Sequence, residues 1–225
     1  LIYDVHEDLP RQIISKGWIP GWIRKPLSLF AERFENRRAA LVDYVITATP
    51  AITQRFRMVN PNTTDVRNYP IPEEFLAEHS KITAPPSICY IGGITGIRGA
   101  FEMIKVLEHL DVNLELAGSP ESEALMESLK ELPGWSKTTY HGVVNRKELA
   151  EIMGVSSVGL ALMHPVPNYL EAFPTKLFEY MLAGIPVVYS DFPLWRQMVE
   201  PYDCGIAVNP KNISDIADAI SRIIS

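Results

Sequence analysis

Short apolar runs alternate with amphipathic segments from Ser87 to the end of the chain, and this rhythm limits the folds open to it. The runs are six predicted strands: Ile88–Ile94, Asn113–Ala117, Thr138–His141, Ser157–Met163, Pro186–Ser190 and Ile206–Val208. A helical pattern follows each of them. Strands that are apolar throughout are typical of sheets covered on both faces. The alternation therefore predicts an α/β fold, with a mostly parallel sheet between two layers of helices.

The first 86 residues have a different pattern. The predicted elements there are two strands, a long helix between them and a further short strand: Leu1–Val5, Tyr44–Thr49, Leu27–Val42 and Tyr69–Ile71. Lys81–Pro86 ends in two prolines and has the composition of a linker. We predict one domain over residues 1–84 and a second over 85–225. Because the chain begins within a strand pattern and ends within a helical one, we expect a piece of a longer protein, cut at both ends.

Composition excludes several classes of protein. Apolar residues make up 47% of the 225 residues and charged residues 21%, as in an ordinary globular protein. Residues 1–60 carry nine Lys/Arg against six Asp/Glu, and the remainder carries twelve against twenty-one, so an acidic main body argues against nucleic acid as a partner. Cys89 and Cys204 lie far apart and suggest no disulfide framework. No signal peptide and no apolar run of about 18 residues is visible, which predicts a cytoplasmic protein.

A glycine-rich stretch, Tyr90-Ile-Gly-Gly-Ile-Thr-Gly-Ile-Arg-Gly99, joins the first of these strands to its helix. Glycines such as Gly92 and Gly93 let the backbone approach a ligand, and the N–H groups at a helix start attract phosphate. Arg98 adds a charged fork for the same anion. The alternative is a turn with a solvated arginine, and the stretch by itself leaves both interpretations open.

A second segment, Glu171-Ala-Phe-Pro-Thr-Lys-Leu-Phe-Glu179, leads into a short predicted helix over Pro174–Ala183. Pro174 suits the first helical position and Gly184 the C-terminal cap. The backbone N–H groups of the first turn point toward the carboxyl edge of the sheet, where they can bind an anion. They belong to Thr175, Lys176 and Leu177.

Glu179 lies just over one turn into that helix, inside an apolar run. A carboxylate in this position can accept hydrogen bonds from two neighbouring hydroxyls, as on a ribose. Glu171 precedes the helix, where it can meet a sugar hydroxyl. The alternative is an amphipathic helix with two surface glutamates, which explains the apolar residues but not the placement of Glu179.

The segment resembles the Glu-x7-Glu signature of retaining glycosyltransferases, above all glycosyltransferase family 4. Many residue types agree at fixed offsets: the Glu171 and Glu179 pair, Pro174, Lys176-Leu177-Phe178 and Gly184-Ile-Pro-Val-Val188. Cys204–Val208 and His141–Val144 also resemble the family. The resemblance covers nearly the whole chain and implies a GT-B architecture, in which two Rossmann-like domains hold the active site between them.

The resemblance also implies a chemistry. It implies a nucleotide-diphosphate sugar as donor (UDP, GDP or dTDP type), transfer with retention of anomeric configuration, and no metal cofactor, in keeping with the lack of a metal-ligand cluster in the sequence. The implied catalytic residues are His6 and Glu171. The implied donor-binding residues are Gly92, Gly93, Arg98, Gly142, Val143, Ala172, Phe173, Thr175, Lys176, Leu177 and Glu179. Bacterial surface-polysaccharide synthesis, with a glycan or lipid-linked acceptor, is the implied setting.

Two features near the site differ in how well they match. Many family members have Arg or Ser after the first glycine of the glycine-rich turn, whereas this chain has Gly93, so that contact to phosphate is absent. Tyr3-Asp-Val-His-Glu-Asp8 resembles the family segment whose histidine faces the donor sugar. His6 is therefore a candidate sugar contact, and the alternative is a polar loop residue that caps the next helix.

Aromatic, apolar and basic residues are interleaved over Lys16–Phe30. Such a stretch can lie on an anionic membrane surface, as a peripheral contact at the inner face. The interpretation we favour from sequence is an irregular connection in which Trp18 and Trp22 pack beneath the long helix.

Three functions are compatible with these residues. The first is a retaining glycosyltransferase. The second is a nucleotide-sugar epimerase or phosphorylase of the same architecture, which product analysis with donor alone separates from the first. The third is a non-catalytic nucleotide-sugar-binding module. Because we expect most of the N-terminal domain, which should hold the acceptor, to be missing, we expect the 225 residues alone to bind nucleotide weakly and to transfer nothing.

Overall fold

The computed structural model describes residues 1–75, 85–170 and 172–225. The strands are β1 (Ile2–Val5), β2 (Tyr44–Thr47), β3 (Thr63–Asp65), β4 (Ser87–Ile91), β5 (Asn113–Ala117), β6 (Thr138–Gly142), β7 (Ser156–Ala161), β8 (Val187–Ser190) and β9 (Gly205–Val208). The helices are α1 (Leu9–Ser15), α2 (Gly21–Ala39), α3 (Pro50–Arg57), α4 (Ala100–Lys105), α5 (Glu123–Lys130), α6 (Arg146–Gly154), α7 (Pro167–Leu170), α8 (Thr175–Leu182), α9 (Pro193–Val199) and α10 (Ile213–Ile224).

The chain divides into two compact units. The first comprises Leu1–Tyr69 and Pro165–Phe173, and the second comprises Pro70–His164 and Pro174–Ser225. The predicted domain boundary after residue 84 falls on the edge of residues 76–84, which lie outside the described part of the chain, and it stays a prediction.

The first unit is a three-stranded parallel sheet in the order β1-β2-β3. Its core is a small cluster around Phe56, which contacts the Tyr3 ring edge-on. The strand predicted over Tyr69–Ile71 is wrong, because these residues form no strand. The third strand of the sheet is β3, over Thr63–Asp65. Trp18 and Trp22 are 80% and 81% exposed, so their predicted packing beneath the long helix is also wrong.

The second unit contains a six-stranded parallel sheet in the order β6-β5-β4-β7-β8-β9. The strand order reverses direction at β4, which lies between β5 and β7, and this is the order of a doubly wound Rossmann-like sheet. All five residues of β4 are buried, as expected for a central strand covered on both faces. The predicted α/β fold is therefore confirmed, including the six strands of the alternating region.

The carboxyl ends of the six parallel strands meet at one edge of this sheet. Ligands bind such sheets at that edge, next to the point where the strand order reverses. Here that point lies after β4 and β7.

Within the part of the chain that the structure describes, no helix is both long enough and apolar enough to cross a membrane.

Candidate functional site

Three glycines from neighbouring strands meet at the carboxyl edge of the second unit's sheet. Gly92 follows β4, Gly118 follows β5 and Gly142 ends β6; all three have positive φ, of 139°, 138° and 69°. A Cβ on Gly118 would lie 1.9 Å from the Gly92 carbonyl oxygen, and the Gly118 N–H donates to the Gly142 carbonyl over 2.6 Å. The backbone here is therefore closely packed in a conformation that side chains disfavour.

The Lys176 ammonium group lies above the turn that follows β4. Its Nζ is 3.5 Å from the centre of the Tyr90 ring, and a Cβ on Gly92 would lie 2.9 Å from it. The lysine is only 7% exposed, and Nζ has no hydrogen-bond partner among the described residues. Burial, and next the charge of Arg98, lower the pKa of Lys176 to about 7, while the carboxylate of Glu179 opposes this shift.

Arg98 approaches the same turn from the other side. It ends the short helical turn Gly96–Arg98, and its Nη1 lies 2.9 Å from where a Cβ on Gly93 would be. The Tyr90 hydroxyl donates to the Gly93 carbonyl over 2.8 Å and so fixes the turn between the two cations. The structure thus brings the predicted residues Gly92, Gly93, Arg98 and Lys176 together.

Gly99 holds the Arg98 turn against the end of β7. Its φ is +77°, and a Cβ there would lie 2.3 Å from the Leu162 carbonyl oxygen. The His164 N–H donates to the Ile97 carbonyl over 2.8 Å and adds a second link between the same segments. These contacts fix Arg98 at the point where the strand order reverses.

Glu179 points from α8 toward α6. Its Oε1 is 3.4 Å from Nη1 of Arg146, and its side chain is 14% exposed against 59% for the arginine. Arg146 also lies over the Phe75 ring, 5.8 Å from the ring centre. The Glu179 carboxylate is therefore half-buried beside one cation, and it also stabilises the charged form of Lys176, one turn away. Its role at a ribose stays a prediction.

The helix that presents Lys176 begins one residue later than predicted. Pro174 is the N-terminal cap of α8, and Thr175 is the first helical residue. The Leu177 N–H donates to the Pro174 carbonyl over 3.1 Å, and its side chain is fully buried. The prediction that Leu177 offers its N–H group to an anion is therefore wrong, because the first turn closes on itself.

The remaining predicted residues have varied surroundings. Val143 is 79% exposed and follows Gly142 at the edge of the sheet. Ala172 and Phe173 belong to the first unit, where Arg67 lies 5.0 Å from the centre of the Phe173 ring. Glu171 lies outside the described residues.

His6 follows β1 in the first unit, and its Nε2 is 3.1 Å from Oδ2 of Asp4. The side chain of His6 is 65% exposed. It does not cap α1, because Asp8 accepts the hydrogen bond from the Arg11 N–H at that helix start. The capping alternative is therefore wrong for His6, and a sugar contact stays a prediction.

Two residues of this site were missed in the sequence. Tyr90 is a polar aromatic residue inside an apolar strand, and its hydroxyl next to a Gly-Gly pair was the available signal. Arg146 carried no signal, because the first residue of a helix gives no indication of a partner 33 positions away.

Among the described residues no group of His, Cys, Asp and Glu side chains could hold a metal ion, and metal independence stays a prediction.

Comparison with known proteins gives a family match. A family model described as glycosyl transferases group 1 matches residues 73–225. The chain is 29% identical over 143 residues to the uncharacterized glycosyltransferase MJ1607 of Methanocaldococcus jannaschii, which covers 61% of this chain and 35% of that protein. It is 31% identical over 115 residues to TuaH of Bacillus subtilis, named for teichuronic acid biosynthesis, covering 50% of this chain and 28% of that protein. The matched regions thus span about a third of the curated relatives' length.

Solved structures of glycosyltransferases share the fold. Sucrose-phosphate synthase from Thermosynechococcus elongatus superposes with a TM-score of 0.70 at 19% identity, over 98% of this chain and 58% of that one. HepE of Anabaena, in complex with UDP and glucose, superposes with a TM-score of 0.69 at 18% identity, over 100% of this chain and 62% of that one. The shared architecture is that of GT-B glycosyltransferases.

Proposed function

The chain belongs to the glycosyl transferases group 1 family, and we propose on that basis that its second unit binds the nucleoside-diphosphate sugar from which the whole protein transfers a sugar. The observation that carries this proposal is the Lys176 ammonium group, which is buried against Gly92 without a hydrogen-bond partner among the described residues. A buried cation of this kind is costly unless an anion meets it. A diphosphate is such an anion, and Arg98 supplies the second cation.

The α8 helix adds to the attraction. Its N-terminus carries partial positive charge, and Lys176 is its second residue. We assign Glu179 to the ribose hydroxyls, because a half-buried carboxylate can accept both of them. The Arg146 ion pair holds that carboxylate in place before the ligand arrives.

We further propose transfer with retention of configuration and without a metal, as in glycosyltransferase family 4. Two basic side chains and a helix terminus then offset the diphosphate charge. Glu171 is assigned to the donor sugar and His6 to the sugar's reacting side. The expected acceptor is a glycan or a lipid-linked glycan of a surface polysaccharide, which the name of TuaH supports.

The Anabaena neighbour was solved with UDP and with UDP-glucose, so these are the first ligands to test. Calorimetric titration of the 225-residue chain with UDP-glucose, GDP-mannose and a dTDP-sugar, each with and without a chelator, measures binding and its metal dependence. We expect millimolar to micromolar binding of one nucleotide class, unchanged by the chelator. The proposal is contradicted if none of the three nucleotide sugars binds to this chain or to a longer protein that contains it.

Variants separate the site from non-specific charge effects. Lys176→Met should weaken binding by about 10- to 100-fold, because a hydrogen bond to a charged group contributes about 1.5–3 kcal/mol. Lys147→Met removes the same charge from an 87% exposed position on α6 and should change little.

Glu171→Ala should lower the rate of sugar transfer by the whole protein more than it weakens nucleotide binding. We propose that the 225 residues alone bind nucleotide weakly and transfer nothing, so measurable transfer by them contradicts that part of the proposal.

The anomeric configuration of the product tests retention directly. An NMR spectrum of product made by the complete protein should show the same anomer as the donor. Epimerised sugar formed from donor alone would favour the epimerase, and binding without any product would favour the binding module.

A further inference from the structure

A histidine–glutamate pair lies beside the turn that carries Arg98, outside the donor contacts proposed so far. Nε2 of His164 is 3.1 Å from Oε1 of Glu102, and the two side chains are 19% and 16% exposed. Both residues belong to the second unit. Buried pairs of this kind often add little net stability, so the contacts around the pair indicate its role better than the pair alone.

His164 holds the chain on both sides of Arg98. Its backbone N–H donates to the carbonyl of Ile97, the residue immediately before Arg98, over 2.8 Å. Its imidazole contacts Glu102 on α4, the helix that follows Arg98. A single residue at the end of β7 therefore fixes both ends of the segment in which Arg98 lies.

The position of His164 is itself fixed from the neighbouring strand. Ser190, the last residue of β8, is fully buried, and its hydroxyl lies 2.7 Å from the Met163 carbonyl oxygen and 3.2 Å from the Ala161 carbonyl oxygen. The Met163 carbonyl belongs to the peptide bond that leads into His164. The histidine is thus attached to the interior of the sheet, and it holds the Arg98 turn from a rigid base.

Glu102 has one carboxylate oxygen without a partner. Oε2 of Glu102 is buried and has no hydrogen-bond partner among the described residues, whereas Oε1 meets His164. A buried carboxylate oxygen without a partner costs free energy. Loss of the imidazole leaves both oxygens unpaired. The carboxylate should then turn toward solvent, and the start of α4, next to Arg98, should loosen.

We propose that His164 is a positioning residue that, through Glu102, holds the Arg98 guanidinium in place for the diphosphate of the donor. The proposal rests on the proposed function in that a diphosphate is the ligand of Arg98, but the position of Arg98 can also be measured without a ligand. The competing explanation is a structural link between α4 and the end of β7 that affects stability alone. The two explanations differ in whether Arg98 transmits the effect.

The pKa of Lys176 reports the position of Arg98 in the free protein. After burial, the charge of Arg98 is the largest cause that lowers this pKa. In His164→Ala the guanidinium should move away from Lys176, so the pKa of the amine should rise, as measured by NMR of isotope-labelled lysine side chains. Arg98→Met should raise it as well. Adding His164→Ala to Arg98→Met should raise it no further.

Nucleotide affinity is the second measurement. UDP, or GDP or dTDP where that nucleotide binds more tightly, is titrated by calorimetry into the unaltered chain, the two single variants and the double variant. His164→Ala keeps its backbone N–H and should weaken binding by about five- to tenfold, a part of the loss that removing a hydrogen bond to a charged group causes. The effect should vanish in the Arg98→Met background, because two residues that act through one contact are not additive.

Glu102→Ala tests the same contact from the other side. Removing a carboxylate near an anion site should, by charge alone, strengthen the binding of a diphosphate. The proposal predicts the opposite, a loss of affinity similar to that of His164→Ala, because Arg98 is no longer held. Since Glu102 and His164 are substituted separately, a failure of one variant to fold leaves the other to decide.

A conservative variant and a matched control complete the set. His164→Gln places an amide nitrogen close to the former Nε2, so it should restore both the pKa of Lys176 and the affinity for UDP. His109→Ala removes an exposed histidine from the second unit and should change neither. Circular dichroism and the melting temperature of each variant show that it folds.

Additive effects of His164→Ala and Arg98→Met, on the pKa of Lys176 or on affinity, overturn the proposal. A lower melting temperature with both measurements unchanged also overturns it and leaves the pair a purely structural link. Unchanged or stronger binding by Glu102→Ala has the same consequence. If no nucleotide binds the unaltered chain, the proposed function fails, while the pKa of Lys176 still decides whether His164 positions Arg98.

Discussion

Lys176 places an amine in a buried position, with only 7% of the residue exposed. The Tyr90 ring beneath it offers a cation–π contact, which offsets only part of the cost of burial. With its pKa lowered to about 7, the amine is close to half-protonated at neutral pH. A diphosphate beside it favours the ammonium form, so ligand and proton should bind together.

Proton uptake on binding is the first prediction. At pH 8.5 the amine of the free protein is mostly neutral, whereas a bound diphosphate raises the pKa of Lys176 toward that of an ordinary lysine. UDP-glucose binding should therefore take up close to one proton, and affinity should fall by up to about tenfold per pH unit above pH 7. Calorimetry in buffers of different ionisation enthalpy measures the uptake. Lys176→Arg stays charged at all these pH values and should remove the pH dependence.

The same lysine predicts a pH-dependent stability of the free protein. Its folded pKa of about 7 lies below the unfolded value of 10.5, so the folded state binds fewer protons between these values. The destabilisation is complete below pH 7 and disappears as the pH rises toward 10.5. Lys176→Met should thus raise the free energy of unfolding at pH 6.5 by up to about 5 kcal/mol, since one unit of pKa corresponds to about 1.4 kcal/mol, and at pH 10 by about 1 kcal/mol or less. Urea denaturation at both pH values measures this, and an equal gain at each contradicts it.

Glu179 should discriminate between ribose and deoxyribose. The unaltered chain should bind UDP about tenfold more tightly than 2′-deoxy-UDP, because the half-buried carboxylate of Glu179 loses a hydrogen-bond donor with 2′-deoxy-UDP. In Glu179→Ala the two ligands should bind alike. If the variant weakens both ligands equally and keeps the ratio, the carboxylate acts only through Arg146.

At the level of elements, the glycine contacts between strands fix the shape of the binding edge. We expect Gly118→Ala to lower the free energy of unfolding by about 2–4 kcal/mol, because its Cβ would meet the Gly92 carbonyl at 1.9 Å and its φ is +138°. Gly96→Ala is the control, since a Cβ there has nothing within 4 Å. Equal effects of the two substitutions in urea denaturation contradict the explanation.

The α2 helix shows how a local signal can mislead. The sequence pattern predicts a helix over Leu27–Val42, directly after Pro26, a residue type that interrupts helices. In the structure the helix continues through Pro26, from Gly21 to Ala39. Tertiary packing outweighed the local cost, because the half of the helix that includes Ser28, hydrogen-bonded to the Pro10 carbonyl, is fixed against α1.

For the whole molecule, ligand binding should appear as thermal stabilisation. A nucleotide sugar at 100 times its dissociation constant adds about 2.7 kcal/mol to the folded state. For a chain of this size that corresponds to a rise in melting temperature of about 5–10 °C. Differential scanning fluorimetry with a panel of nucleotide sugars measures it and ranks the bases. A saturating ligand that binds by calorimetry without raising the melting temperature contradicts the expectation.

The sequence by itself determined the six-stranded α/β unit, because strands covered on both faces must be apolar throughout and the helices between them amphipathic. It also placed Gly92, Gly93, Arg98 and Lys176 at the ends of elements, where a parallel sheet binds its ligands. Only the tertiary structure decided that the Lys176 amine lies over the Tyr90 ring, that Arg146 meets Glu179, and that Trp18 and Trp22 are exposed. Those contacts and exposures depend on how residues far apart in the chain pack against one another. The pattern of residue types within a short segment carries no information about such packing.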